Sequence, residues 1–110
     1  MANATIDKLN EHMGIDSAVR FDVGPGGITR VRLTAAGAEA HVLLHGAQLT
    51  HYQPRGHGPV LFVSDHAHFA RERPIRGGVP VCFPWFGEQA GKPQHGFART
   101  RPWRVTRTVL

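Results

Sequence analysis

The sequence is short of several residue types, and each shortage excludes something. A single cysteine, Cys82, stands in 110 residues. One thiol cannot staple a small secreted fold, so a disulfide mini-protein is excluded and a reducing cytoplasm is the expected location. No apolar run approaches the roughly 20 residues that span a bilayer. The first stretch, MANATIDKLNEHMG, lacks the apolar core of a secretory signal. Neither a membrane nor a secreted protein is therefore expected. Lysine is nearly missing, with only Lys8 and Lys92. Acids are missing where bases are dense: residues 71–110 hold eight basic residues against Glu72 and Glu88, a balance of +6, while residues 1–70 balance at −1. The last forty residues thus supply the whole basic excess. Such a patch expects an anion, whether nucleic acid, an acidic lipid surface or a phosphorylated small molecule. Charge alone does not choose among them.

What is present reads as one domain at most, since typical domains hold about 100–150 residues. A hydrophobic fraction of 41% with 19% charged is too apolar for intrinsic disorder. Ile6, Leu9 and Met13 have helical spacing and Gly14 is a stop signal, which predicts a short helix over 4–13. From Gly14 on the period becomes two, and Gly24–Gly27 reads as a turn. Strands are expected over 28–33, 39–44, 47–52 and 60–63, separated by Gly/Pro turns. A further strand is expected over 103–110. Closely spaced strands without intervening helices argue for an all-β sandwich or barrel rather than a parallel α/β sheet. Residues 71–92 show little periodicity but contain Val79, Val81, Cys82, Phe83, Trp85 and Phe86, so they are expected to form an ordered loop.

The chemistry-bearing residues concentrate there. RPIRGGVPVCFPWFG, residues 73–87, is followed closely by KPQHGFAR, residues 92–99. Arg76 precedes two glycines, a pattern that lets backbone approach a ligand beside a forked guanidinium donor. Gln94, His95 and Arg99 add amide, imidazole and guanidinium groups within six positions. Phe83, Trp85, Phe86 and Phe97 supply aromatic walls, and the mixture suits a sugar or phosphosugar pocket. Taken by themselves, these residues fit solvated surface arginines better.

PIRGGVPVCFPWFG, KPQHGFAR and the tryptophan after them resemble the hexose-6-phosphate mutarotases (glucose-6-phosphate 1-epimerases) of the aldose 1-epimerase superfamily. GAQLTHYQP and VLFVS resemble the early strands of that family, and the resemblance covers about residues 18–110. It implies an all-β fold, the N-terminal part of a galactose-mutarotase-like β-supersandwich, preceded by a helical extension over 1–17. It implies an isomerase that interconverts the α and β anomers of a hexose 6-phosphate in carbohydrate metabolism. One group takes the anomeric hydroxyl proton, another protonates the ring oxygen, and the opened chain rotates and recloses. No metal or cofactor is implied, and the whole enzyme is expected to be a monomer. The family's acid and base, a histidine and a glutamate, lie beyond the matched region, so no catalytic residue is assigned here. Arg76, Gln94 and Arg99 match substrate-binding positions: the arginines for phosphate, Gln94 for a sugar hydroxyl. His95 matches a histidine placed near the sugar and carries less weight. As an isolated chain, negligible turnover and marginal stability are expected.

Plainer readings stand beside these. His66 and His68 would share a strand face as a metal pair, but two ligands do not make a site, and solvated histidines fit better. Cys82, between Val81 and Phe83, is expected to be a buried, inert thiol. Glu88 reads as a solvated carboxylate. A nucleic-acid module, with Arg99, Arg101, Arg104 and Arg107 along a strand face and Trp103 for stacking, ranks a distant second. A phosphosugar-binding protein without catalysis is the remaining alternative.

Overall fold

In a computed structural model of the chain, residues 2–70 and 73–110 are described, so Arg71 and Glu72 at the head of the expected loop lie outside the described residues. The helix α1 spans Ala2–Met13. Ile6, Leu9, Asn10 and Met13 are its half-buried positions, a single stripe at i, i+3, i+4 and i+7. Four strands follow: β1 (Val19–Val23), β2 (Thr29–Ala35), β3 (Ala38–Leu43) and β4 (Gln48–Pro54). They form one antiparallel sheet in the order β1-β2-β3-β4. Each strand is joined to the next by a short turn, which antiparallel neighbours permit.

Register sorts the side chains by face. Phe21 opposes Val31, which opposes Val42, and Phe21 and Val31 are buried. The opposite face carries charge: Asp22 opposes Arg30, and Arg32 opposes His41. Arg30 grips Asp22 with two parallel bonds of 2.8 Å, a forked geometry that lowers the Asp22 carboxyl below its ordinary pKa. Arg32 donates to Glu39 at 2.8 Å and His41 sits 2.9 Å from the same oxygen. These two contacts, the arginine's first, hold Glu39 down at about 2 from an ordinary 4.5. A register shift at His41/Val42 leaves Thr50 unopposed in β4. This bulge keeps His51 stacked on His41, ring centroids 4.4 Å apart, while returning Gln48 opposite Leu43. Both Leu43 and Gln48 are fully buried.

The outer edge of β1 is closed by a side chain. The Asn10 amide donates to Phe21 O at 2.9 Å and accepts from Phe21 N–H at 2.7 Å, as a neighbouring strand would.

Three expectations need correction. The two-residue period after Gly14 names no strand before the Gly24 turn, yet Val19–Val23 is β1, paired with β2. Residues 60–63 form no strand: Val63 makes one isolated bridge, to Gly77, and Phe62 is 77% exposed. Residues 103–110 form none either. Their alternation favours extended chain, but a strand needs a ladder partner for its backbone groups. The segment is tied at separate points instead, by Trp103 N–H to Leu44 O and by the Thr108 hydroxyl to Met13 O at the end of α1, both 2.6 Å.

Candidate functional site

The stretch 73–100 is irregular but closely fastened. Residues 76–79 lie against β4 and the segment 62–64. Leu49 and Val79 exchange backbone bonds of 3.3 and 2.8 Å, Gly78 N–H donates to Phe62 O at 2.7 Å, and Ser64 N–H donates to Arg76 O at 2.9 Å. The two glycines after Arg76 serve this docking. A Cβ on Gly77 would lie 2.4 Å from Val63 Cα, and one on Gly78 would lie 2.1 Å from Leu49 O, both at positive φ. The Arg-Gly-Gly pattern predicts a ligand against these glycines; their bare faces are turned to the protein's own backbone.

The second part, 83–98, is a loop whose ends meet. Phe83 O accepts from Phe97 and Ala98 N–H at 3.0 and 3.1 Å. Inside it, Trp85 packs edge-on against Phe97 at 6.1 Å, donates from Nε1 to Pro93 O at 2.9 Å, and lies under the Lys92 ammonium at 5.3 Å. Its own side chains fill it, as in other compact surface loops with closed ends.

Between these two parts lies an open cavity of about 510 Å³, within the roughly 300–1,000 Å³ of small-molecule sites. Arg76, Gln94 and Arg99 all line it, with His95, Cys82 and Phe86 beside them. The structure thus brings the three singled-out side chains to one place from two stretches of chain. Among the described residues, the Arg76 guanidinium has no hydrogen bond or ion pair. Arg99 donates from Nη2 to Gln94 O at 3.0 Å, while its buried Nε has no partner among the described residues. His95 accepts Gly87 N–H at Nδ1, at 2.9 Å. A nitrogen that accepts carries no proton, so Nε2–H is the donor of the neutral ring.

Other expectations fare differently. Of the four aromatic residues offered as walls, only Phe86 lines the cavity; Trp85 and Phe97 pack on each other, and Phe83 is 61% exposed. Cys82 is half-buried and faces the cavity rather than lying in the core, because the proline-broken chain around it forms no core strand. His66 and His68 share no strand face: Ala67 N–H bonds Ser64 O at 3.0 Å and His66 N–H bonds the Ser64 hydroxyl at 3.1 Å, which makes a turn. Arg99, Arg101, Arg104 and Arg107 share none either; Arg101 lies over the Phe97 ring at 5.6 Å. Glu88 is exposed.

The sequence assigns Gln48 no role, and His45 reads there as an ordinary strand or loop histidine. Both are buried, and both reach the Arg76 segment: Gln48 Nε2 donates to Ile75 O at 3.0 Å and Gly77 O at 2.5 Å, and His45 Nε2 lies 2.7 Å from Arg73 O. A carbonyl only accepts, so the His45 proton is on Nε2. Gln48 Oε1 has no partner among the described residues, a cost of about 1–3 kcal/mol for a buried acceptor. The available signal was an amide set between Ala47 and Leu49 in an otherwise apolar run.

Comparison with known proteins gives the chain its kin. The aldose 1-epimerase family pattern matches residues 29–109. An Escherichia coli (strain K12) protein named "Putative glucose-6-phosphate 1-epimerase" is 49% identical over 69 residues, 61% of this chain and 24% of that protein. A protein of the same name from Cenchrus ciliaris is 39% identical over 82 residues, 74% of this chain and 25% of that one. The crystal structure of a "putative mutarotase" from Salmonella typhimurium superposes with a TM-score of 0.75 at 31% identity, covering 93% of this chain and 36% of that chain. The chain spans about a quarter of the length of the curated relatives it matches. With the family pattern running from β2 almost to Leu110 and the fold superposing on the Salmonella typhimurium structure, the chain belongs to the aldose 1-epimerase family.

Proposed function

We propose that this chain supplies the phosphate-gripping side of a hexose-6-phosphate mutarotase, an isomerase of carbohydrate metabolism that interconverts the α and β anomers of glucose 6-phosphate or a close relative. One observation carries the reading: Arg76, Gln94 and Arg99, from segments 18 or more positions apart, line a single cavity of sugar-phosphate size. The unengaged Arg76 guanidinium suits two phosphate oxygens. Arg99, steadied by Gln94 O, suits a third, and the Gln94 carboxamide a ring hydroxyl. Phe86 offers an apolar face to the sugar ring. The names of the similar proteins support the same substrate class.

The reaction opens and recloses a hemiacetal. A base removes the C1 hydroxyl proton, an acid gives a proton to the ring oxygen, and the C1–O5 bond breaks to give the free aldehyde. Rotation about C1–C2 and reclosure on the other face complete it. Each positioned proton-transfer group contributes about 10²–10⁴-fold. No residue of this chain is assigned to either role; Arg76 and Arg99 bind and orient. The reading carries a cytoplasmic, monomeric enzyme with no cofactor.

The test is a titration of glucose 6-phosphate, glucose and inorganic phosphate against the chain, followed by NMR. Glucose 6-phosphate should bind more tightly than either part. Arg99→Ala should weaken it by a factor of about 10–150, the equivalent of one charged hydrogen bond at about 1.5–3 kcal/mol, and Arg76→Ala, which removes two, by at least as much. Equal affinity for glucose and its phosphate, or arginine variants that bind as the parent does, would refute the reading. Saturation transfer between the anomers should show exchange at the buffer rate only.

A further inference from the structure

The two cavity-lining arginines sit on separate stretches of chain, yet both stretches rest on one turn, His45-Gly46-Ala47-Gln48, which leads out of β3 and ends on the first residue of β4. On one side the carbonyls of Arg73, Ile75 and Gly77, at alternate positions around Arg76, are all met by this turn, the first by His45 and the other two by Gln48. The Arg76 carbonyl itself goes to Ser64. On the other side, Gly46 N–H donates to Arg101 O at 2.8 Å, and a Cβ on Gly46 would lie 2.5 Å from Arg99 O and 2.9 Å from Arg99 Cα. Gly46, at φ +75, and Ala47, at φ +49, both take the left-handed conformation that turns the chain sharply enough to face both ways. Gln48 is completely buried, and its own oxygen has no partner among the described residues. An amide that forgoes its acceptor inside a protein is held by its donor bonds, here to the two carbonyls flanking Arg76.

We propose that this turn is the spacer of the site. Gln48 is a positioning residue for Arg76, Gly46 for Arg99, and together they set the distance between the guanidiniums and hence the anion that fits. The part of this that concerns the anion rests on the phosphosugar reading; the mechanical part does not.

The mechanical part is tested without ligand by amide hydrogen exchange on the whole chain. Gln48→Met keeps the side-chain volume and removes both donors. It should accelerate exchange of the Ser64 and Gly78 amides at least tenfold and leave the β1–β2 ladder unchanged. Acceleration spread evenly over the sheet would make Gln48 a general core residue and overturn the proposal. Should Gln48→Met fail to fold, the parent protein decides: side-chain Nε2 protons of Gln48 exchanging as slowly as sheet amides support the clamp, and exchange at the solvent rate overturns it.

Affinity for glucose 6-phosphate then tests the spacing. Gln48→Met should weaken binding at least fivefold in the parent and less than twofold on an Arg76→Ala background. Gly46→Ala should show the reverse dependence, losing its effect on Arg99→Ala but not on Arg76→Ala. Factors that are the same on every background would refute positioning. A parent chain that does not bind glucose 6-phosphate would refute the phosphosugar reading instead, leaving the exchange result to decide the turn's role.

Discussion

Substituting Gly78 by alanine probes the docking of the Arg76 segment directly. The new Cβ would sit 2.1 Å from Leu49 O and 3.2 Å from Thr50 Cα, at φ +67. Holding an L-residue in that conformation costs about 1–2 kcal/mol. The overlap is with backbone, so no side-chain rotation relieves it, and residues 76–79 must lift from β4. Lifting breaks the two Leu49–Val79 bonds and the Gly78–Phe62 bond, each worth about 0.5–1.5 kcal/mol net. It also uncovers Ile75, now 4% exposed. Chain freedom regained by the released segment offsets part of this, at about 1–2 kcal/mol per residue. A local loss of about 2–4 kcal/mol is expected, bounded by the free energy of undocking the segment alone. Exchange of the Leu49 and Val79 amides should therefore accelerate by a factor of about 30–1,000, while the β1–β2 amides keep their protection. Gly37→Ala is the control: nothing lies within 4 Å of its Cβ, and its effect should stay within about 0.5 kcal/mol. If Gly78→Ala changed Leu49 exchange less than fivefold, the close approach of loop and strand would be wrong.

Other consequences are open to simple assays. Glu39 has its pKa depressed on folding, so its stabilisation is present above its unfolded value near 4.5 and fades as pH falls toward about 2. Glu39→Gln should flatten the pH dependence of the urea midpoint across that window, and an unaltered slope would count against the Arg32–Glu39–His41 cluster. Asn10→Ala removes both bonds to Phe21; about 1–2 kcal/mol should be lost, after a helix-propensity gain of about 0.5 kcal/mol. The same variant opens the β1 edge, so concentration-dependent association by sedimentation should increase; no increase would mean the edge is protected otherwise. Cys82 faces the cavity, so saturating glucose 6-phosphate should slow its alkylation by iodoacetamide at least threefold. Unchanged labelling would argue that the sugar binds elsewhere.

Much of this architecture can be read from local pattern. The spacing of Ile6, Leu9 and Met13 specifies α1, and alternation marks β2, β3 and β4 to within a residue or two. Alternation also misleads. At 60–63 and 103–110 it describes an extended chain, but whether such a chain is a strand depends on a partner elsewhere. That Arg76, Gln94 and Arg99 line one cavity can be anticipated because their motifs are long and contiguous. The reach of Gln48 and His45 cannot be, since it ends on carbonyls 27 to 29 positions away, which no local pattern encodes. The glycines of the Arg-Gly-Gly run show the same limit: the residue type announces close approach, and only the fold says to what.

The strands stand side by side in the order in which they occur along the chain, whereas the segments that line the cavity are held by links between distant positions, such as Leu49–Val79 and Gly46–Arg101. Hairpins between sequence neighbours pay little loop-closure entropy and close early; the distant links come at greater entropic expense and close late. During synthesis the meander can therefore be complete before residue 73 has left the ribosome, and the arginine-bearing segments are laid onto a finished edge. Assembly runs from scaffold to cavity, which leaves the turn at 45–48 in place, waiting, when its two clients arrive.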